Sequence, residues 1–326
     1  MIKKKTEYTF LILLFAYSLY CSLIIGTAWD EFYHYKNGDN IFRYIFSLGQ
    51  RDYVSANFIY HYGFYDFLAA FFSKNFTSKY LVEAHHLLNL FFSIFSVFGI
   101  YQLTKKMFNS KVGKITFLIC FLNPVFFGHF SINPKDTIVA FSYIWIFCIS
   151  LKYLEKQNNQ SKKNTYLFYL TLLFSLGLGI RLTFLISLIP IFIILFFEIY
   201  KNKKNFFSIS RFLLDIFYVV IFSFIITIIF WPDTHSDLLR LPFIYIKNYF
   251  VSFFSSNFGL QLGLLNTQFY DISNTPRSYI YISLFHKMPI YMLISFIFLP
   301  FVLFNKKFIN KFNILILNCS YVLFQI

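Results

Sequence analysis

Runs of apolar residues recur along this chain and are separated by short clusters of lysine, and this alternation limits the folds open to it. Charged residues make up only 13% of the 326 residues, whereas soluble domains carry about 25%. The chain also holds 50 Phe and 25 Tyr, more aromatic side chains than the core of one soluble domain would bury. Lipid is therefore the expected surrounding for most of the chain. We predict an all-α, polytopic transmembrane helical bundle of about 8–9 spans.

The lysine clusters indicate which end of each span faces the cytoplasm. The formal net charge is +15, and most of the lysines lie between apolar runs. Lysine and arginine accumulate in cytoplasmic loops, where they meet anionic lipid headgroups. Membrane lipids are therefore expected partners, and nucleic acid is not. The clusters lie at residues 3–5, 105–114, 152–163, 201–204 and 306–311.

The apolar runs predict one integral membrane domain over residues 1–326. The expected spans are roughly 8–25, 80–103, 115–127, 137–151, 166–178, 182–197, 212–230 and 280–304. A first extracytoplasmic loop at 27–79 is expected to carry amphipathic helices at the membrane surface, and 232–279 forms a second large loop. The last apolar segment, 312–326, reaches only about 22 Å against a bilayer core of about 30 Å. We therefore expect a C-terminally truncated chain.

Two adjacent carboxylates, Asp30 and Glu31, directly follow the first span. A carboxylate at mid-membrane costs on the order of 2.5–3.5 kcal/mol, and less at the interface. One interpretation is a general base, or a group that orients an acceptor hydroxyl. The other is an interfacial charge that ends a helix. His34 follows Asp30 by four residues and could share its helical face, which makes a metal site conceivable.

The seven histidines show no strong metal-ligand spacing. All of them fall on the predicted outer side or in the outer part of a span. Interfacial histidine satisfied by water or lipid headgroups is therefore the favoured interpretation. On this interpretation the sequence predicts no metal site.

More polar positions fall on the side opposite to the lysine clusters. Residues 133–136, Asn-Pro-Lys-Asp, either form a hairpin turn or begin a helix whose backbone N–H groups and Lys135 face an anion. Arg181 lies between two spans and could bind a phosphate bidentately or reach for the interface. Arg277 and Lys287 are either interfacial anchors or phosphate ligands. This common side predicts one outward-facing site.

Together these motifs resemble those of the GT-C membrane glycosyltransferases, in particular bacterial members related to the family 39 protein mannosyltransferases. The similarity spans roughly residues 20–295. Its motifs are Trp-Asp-Glu at 29–31, Gly-His-Phe-Ser-Ile-Asn-Pro-Lys-Asp at 128–136, Gly-Ile-Arg at 179–181, Thr-Pro-Arg-Ser-Tyr at 275–279 and Lys-Met-Pro at 287–289.

The resemblance implies a polyprenyl-phosphate-linked sugar as donor, used outside the cytoplasm and usually with inversion. It implies Asp30 as the catalytic base, Glu31 as a weaker candidate and Asp136 as a second acidic group. The residues that would bind the lipid phosphate and the substrate are Lys135, Arg181, Arg277, Lys287, His129 and Asn133. The acceptor could be a lipid, a glycan or a protein.

The resemblance also implies a multi-pass protein of the bacterial inner membrane with its site on the extracytoplasmic side. No cofactor is expected, because the protein mannosyltransferase branch needs no metal, although some other GT-C enzymes use one. Two alternatives stay open. A transporter or flippase for a lipid-linked sugar would need charges along a transmembrane path, where only Asp215 is a candidate. A non-catalytic scaffold would leave the outer motifs scattered.

Overall fold

The computed structural model describes residues 2–28, 31–51, 53, 63–201, 209–254, 262–265, 267–271 and 274–303. Its helices are α1 (Ile2–Ile24), α2 (Glu31–Phe46), α3 (Phe64–Ser73), α4 (Leu81–Met107), α5 (Ser110–Phe121), α6 (Pro124–His129), α7 (Asp136–Glu155), α8 (Gln160–Leu178), α9 (Phe184–Ser187), α10 (Ile189–Lys201), α11 (Ile209–Ile229), α12 (Leu241–Phe254), α13 (Tyr279–Lys287) and α14 (Ile290–Leu303). Strands β1 (Leu262–Leu265) and β2 (Gln268–Asp271) form an antiparallel hairpin. The fold is therefore mostly helical, as predicted, and the hairpin in the second large loop is a departure from all-α.

Four helices in the described part of the chain are long and apolar enough to cross a bilayer. They cover 6–24, 78–107, 136–155 and 209–229. Other expected spans are interrupted. The third breaks at Asn123, whose side chain caps α6, and Pro124 begins that helix. At 12 residues, α5 is only about 18 Å long. The count of eight or nine spans stays a prediction.

The core lies where α4 packs on α7, and α7 and α11 pack on α8. Its largest fully buried side chains are aromatic, among them Tyr143, Phe147, Phe174 and Phe184. Side chains that face outward from α1 and α11 are apolar and exposed, as lipid-facing surfaces should be. The buried stripe of each helix therefore faces another helix, while its remaining surface is suited to hydrocarbon.

Ion pairs join the helices at the end of the bundle that carries the lysine clusters, here called the lysine end. Glu7 of α1 pairs with Lys114 of α5. Lys106 of α4 pairs with Glu155 of α7 at 2.7 Å. These contacts place the clusters that follow α4 and α7 at the same end of the bundle. The opposite end holds the starts of α4 and α7 and the end of α8, and it is here called the cleft end.

A buried polar cluster at the lysine end explains the charge inside α11. Asp215 accepts hydrogen bonds from Lys163 Nζ at 3.1 and 3.2 Å, and from Tyr153 Oη at 2.7 Å. Gln157 Nε2 donates to Tyr153 Oη at 3.0 Å. The carboxylate thus has a counter-ion from α8 and a hydroxyl from α7. Asp215 thereby joins α11 to α7 and α8. Because its charge is paired locally, it gives no support to a transport path.

We expect Asp215→Asn to destabilise the fold by about 3–5 kcal/mol, because it leaves the buried Lys163 ammonium without its counter-ion. The measurement is the free energy of unfolding of the purified protein in detergent. Glu155→Gln is the matched control, since that carboxylate is 55% exposed and its Lys106 partner 40%. The control should lose less than about 1 kcal/mol. Equal losses of unfolding free energy in the two variants would show that the buried pair stabilises the fold no more than the exposed pair does.

Candidate active site

A cleft at the cleft end of the bundle is lined by titratable and polar side chains from three helices and one loop. In this structure its cavity volume is about 10 Å³, room for about one water molecule. The loop between α6 and α7 supplies one wall. The lining residues are Glu31, His34, Tyr35, Tyr65, Asp66, Ala69, His85, Asn89, Ser131 and Pro134. Six of these residues lie in the first loop, 27–79, and two of the six, Glu31 and His34, are singled out by the sequence.

One carboxylate of the cleft, Asp66 on α3, holds two side chains of α2. His34 Nδ1 lies 2.9 Å from Asp66 Oδ1, and Asn37 Nδ2 donates to Asp66 Oδ2 at 2.7 Å. Tyr53 Oη donates to Asn37 Oδ1 at 3.1 Å. All three members of the His-Asp-Asn group are buried. Burial raises the pKa of the Tyr53 hydroxyl, with further contributions from Asp233 and Asp66, so this hydroxyl stays a donor.

The second carboxylate of the cleft, Glu31, starts α2 and contacts α4. Its oxygens lie 3.0 and 3.2 Å from His86 Nε2, and the Ala28 backbone N–H donates to it at 2.7 Å. His86 Nδ1–H donates to the Ser22 carbonyl oxygen at 3.2 Å. Because a carbonyl oxygen can only accept, Nδ1 carries a hydrogen, and Nε2 is the ring nitrogen that faces the carboxylate. This contact ties the first loop to α1 and α4.

Asn89 of α4 connects the cleft to the loop that precedes α7. Its Oδ1 accepts from Thr137 Oγ1 at 2.9 Å and from Tyr65 Oη at 3.5 Å. Its Nδ2 donates to the Phe130 carbonyl at 3.1 Å, and Ser93 Oγ donates to the same carbonyl at 2.8 Å. A buried amide with hydrogen-bond partners on both its oxygen and its nitrogen holds its neighbours in place. The loop 130–136 is therefore held against the cleft.

The motif at 133–136 forms an ion pair with Arg181 beside the cleft. Arg181 Nη2 lies 2.9 Å from Asp136 Oδ1, and both side chains are about half exposed. Asn133 Nδ2 donates to Asp136 Oδ2 at 2.9 Å. Asn133 Oδ1 accepts from the backbone N–H groups of Lys135 and Asp136 at 3.2 and 2.9 Å. The expectation that these N–H groups face an anion is wrong, because the Asn133 side chain already uses them.

A close approach at the end of α8 positions Arg181. The chain turns back after Gly179, so that the Phe184 ring lies against Gly177. A Cβ added at Gly177 would lie 2.3 Å from Phe184 Cε1, which leaves no room for a side chain. Arg181 N–H donates to the Gly177 carbonyl at 3.2 Å. The two glycines therefore permit the tight turn that places Arg181 near the start of α7.

The structure brings several of the predicted residues together. Asn133, Asp136 and Arg181 share one hydrogen-bonded group, and Lys135 lies within it in sequence. His129 Nδ1 lies 3.5 Å from Asn133 Nδ2. Glu31 and His34 lie in the adjacent cleft.

The other three predicted positions are Asp30, Arg277 and Lys287. Asp30 falls outside the described residues. Arg277 is exposed, and no ion pair among the described residues joins it to the group. Lys287 ends α13, and its side chain lies outside what the structure describes.

The interpretation of the outer histidines as interfacial groups is wrong for three of them. His34, His85 and His86 are at most 8% exposed. His34 and His86 have carboxylate partners, and His85 packs on the Tyr35 ring with centroids 4.2 Å apart. Groups of three or more His, Cys, Asp or Glu that could hold a metal are not found among the described residues. The weak possibility of a metal at His34 therefore gains no support.

Sequence reasoning missed Asp66, His86, Asn37 and Asn89. Asp66 lies in the apolar run Phe-Tyr-Asp-Phe-Leu, and His86 and Asn89 lie inside the second expected span. An ionisable residue within an apolar segment is itself a signal of a site, and it could have singled out Asp66 and His86. Asn37 carries no such signal, because it lies in a mixed polar segment.

Comparison with known families matches the middle of the chain to one of them. Residues 64–231, just over half of the chain, match the family model described as dolichyl-phosphate-mannose-protein mannosyltransferase. The chain belongs to this family. Membership confirms the kinship expected from the motifs and places the protein among membrane glycosyltransferases. No curated protein and no solved structure matches the chain.

The matched segment of this mannosyltransferase-family chain includes most of the site. Asp66, His86, Asn89, Asp136 and Arg181 all lie within residues 64–231. The first-loop residues 30–34 precede it, and the motifs at 275–279 and 287–289 follow it. The contacts of Glu31 and His34 therefore attach residues outside the match to the helices inside it.

Proposed function

We propose that this chain transfers a sugar from a polyprenyl-phosphate-linked donor to an acceptor on the extracytoplasmic face of the membrane, with inversion at the sugar. The observation that carries the proposal is the meeting, at the cleft end, of the Asp136–Arg181 pair with the cleft that contains Glu31, His34 and Asp66. That end lies opposite the lysine clusters, which mark the cytoplasmic side by charge distribution. The acceptor is a lipid, a glycan or a protein.

The charges of the site are divided in a way that suits a phosphate-linked sugar. The cationic groups, Arg181 and Lys135, lie at the half-exposed rim, where a headgroup phosphate would arrive. The cleft carries carboxylates and histidines, and no Lys or Arg lies among its lining residues in the described part of the chain. A phosphate would therefore bind at the rim, and the neutral hydroxyl-bearing sugar would extend toward the cleft.

The leaving group and the acceptor need different kinds of catalysis, namely stabilisation of negative charge and removal of a proton. Departure of the lipid phosphate leaves negative charge on oxygen, which Arg181 and Lys135 would stabilise. Arg277 and Lys287 are further candidates for this role on the resemblance alone. The acceptor hydroxyl needs a base, and the resemblance assigns it to Asp30. Glu31 is already bound by His86 and a backbone N–H, so its role is to hold the first loop in place. We propose no metal cofactor.

The positions of charge favour transfer over translocation. In the four long apolar helices described here, the charged side chains lie within about two turns of a helix end. Asp215, the deepest of them, is neutralised by Lys163. A flippase would need polar groups along the path of the sugar between the two ends. A scaffold would need no cluster such as Asn133, Asp136 and Arg181.

The proposal is tested with purified protein in detergent, a panel of synthetic polyprenyl-phosphate sugars and cell membranes that lack the protein as the source of acceptor. We expect one sugar of the panel to enter the acceptor fraction while an equal amount of polyprenyl phosphate is released. The reaction should proceed with a metal chelator present. If no donor in the panel is consumed, the proposed function is wrong.

A further inference from the structure

The Asp136–Arg181 ion pair places a carboxylate in contact with the cation proposed to bind the lipid phosphate. The contact runs from Nη2 of Arg181 to Oδ1 of Asp136 at 2.9 Å. The side chain of Arg181 is 46% exposed and that of Asp136 is 42% exposed. The carboxylate is fixed through its other oxygen, which accepts from Asn133 Nδ2 at 2.9 Å. Asp136 is therefore fixed by a second contact, while Arg181 is a long side chain that is about half exposed.

We infer that Asp136 competes with the phosphate for Arg181 and thereby speeds the release of polyprenyl phosphate after transfer, an inference that rests on the proposed function. The guanidinium cannot give the same N–H groups to two acceptors at once. A phosphate bound bidentately through Nη1 and Nη2 therefore takes from Asp136 the nitrogen that now contacts it. When the phosphate leaves, the fixed carboxylate takes the guanidinium back.

The charge change of the reaction makes such a competitor useful. In transfer, the acceptor oxygen forms a bond to the anomeric carbon, and its proton goes to the base. The bond from the anomeric carbon to the phosphate oxygen breaks, and its electron pair stays on that oxygen. The donor carries one negative charge on phosphate, whereas the released monoester carries about 1.5 to 2. Arg181 therefore holds the product more tightly than the donor, and a competing carboxylate offsets this.

Binding of farnesyl phosphate, a short polyprenyl phosphate, to the full chain in detergent tests the inference. Exposed ion pairs are weak, so Asp136→Asn should tighten binding by about two- to fivefold. The gain should lie in slower dissociation of farnesyl phosphate. Arg181→Gln should weaken binding by about tenfold or more, because it removes a charged donor. In the Arg181→Gln background, Asp136→Asn should give no gain.

Asp39→Asn is the matched control, because Asp39 is also a partly exposed carboxylate, paired with Arg43 at 2.7 Å and Lys74 at 2.8 Å. It removes the same charge and should leave binding unchanged. Unchanged or weaker binding in Asp136→Asn would overturn the inference and leave the proposed function standing. A gain that persists without Arg181 would also overturn it, since it would reflect simple repulsion. Absence of binding by the wild type would overturn the inference and the proposed donor together.

Discussion

Replacing Asp66 with alanine is expected to destabilise the protein by about 2–5 kcal/mol and to abolish transfer, the largest structural effect predicted for the site. The substitution leaves His34 and Asn37 buried without their acceptor, and each unsatisfied polar group costs about 1–3 kcal/mol. These two side chains attach α2 to α3. The measurements are the free energy of unfolding in detergent and the transfer rate.

Exchanging the Asp and Asn side chains between positions 66 and 37 tests whether stability depends on this hydrogen-bond pattern or only on a charge on α3. Asp66→Asn keeps an acceptor for His34 but turns its amide N–H toward the Asn37 amide, so two donors face each other. The double variant Asp66→Asn with Asn37→Asp restores a donor to an acceptor and should recover most of the lost stability. If the double variant is as unstable as the single one, the proposed role of the Asp66 contacts is wrong.

Replacing Asp30 with asparagine is expected to lower the transfer rate by on the order of 10²–10⁴-fold with little effect on unfolding, because a positioned base contributes that much. Glu31→Gln should behave differently. Glu31 is buried against His86, so its loss should lower both stability and rate. The comparison of these adjacent carboxylates therefore distinguishes a residue that takes part in the reaction from one that stabilises the fold. The transfer rate and the free energy of unfolding are measured on both variants.

Asp39→Asn on the same helix serves as the control for these first-loop variants. Its side chain is 35% exposed and forms surface ion pairs only, so both its rate and its stability should stay near the wild-type values. An unchanged rate in Asp30→Asn would remove that residue from the mechanism. The base would then have to be sought among the groups that line the cleft.

The helical class and the common end of Asp136 and Arg181 could be predicted from sequence, because both follow from charge and hydropathy. Lysine clusters mark one end of the predicted spans that flank Asp136 and Arg181, which suffices to place both residues at the other end although they are 45 positions apart. That they would form an ion pair did not follow, since the turn after α8 depends on the packing of Phe184 on Gly177.

The face that α2 turns inward could not be predicted from its pattern. Amphipathic spacing shows that a helix has two faces, but it does not show what each face contacts. In α2 the polar face is buried, with Glu31, His34 and Asn37 inside, while Phe32 and Phe46 are exposed. The inversion arises because Asp66 and His86 on neighbouring helices supply polar partners. Both of these residues lie within apolar runs.

Reconstitution into liposomes tests the central claim most directly, because it measures transfer and translocation in one preparation. The donor identified in detergent is supplied on the side of the vesicle where a cysteine introduced next to Arg181 reacts with an impermeant reagent. The account predicts that labelled sugar appears on the acceptor together with an equal amount of polyprenyl phosphate on that side, and that Asp30→Asn loses this reaction while Asp39→Asn keeps it. Passage of the intact donor to the other leaflet without transfer would contradict the account.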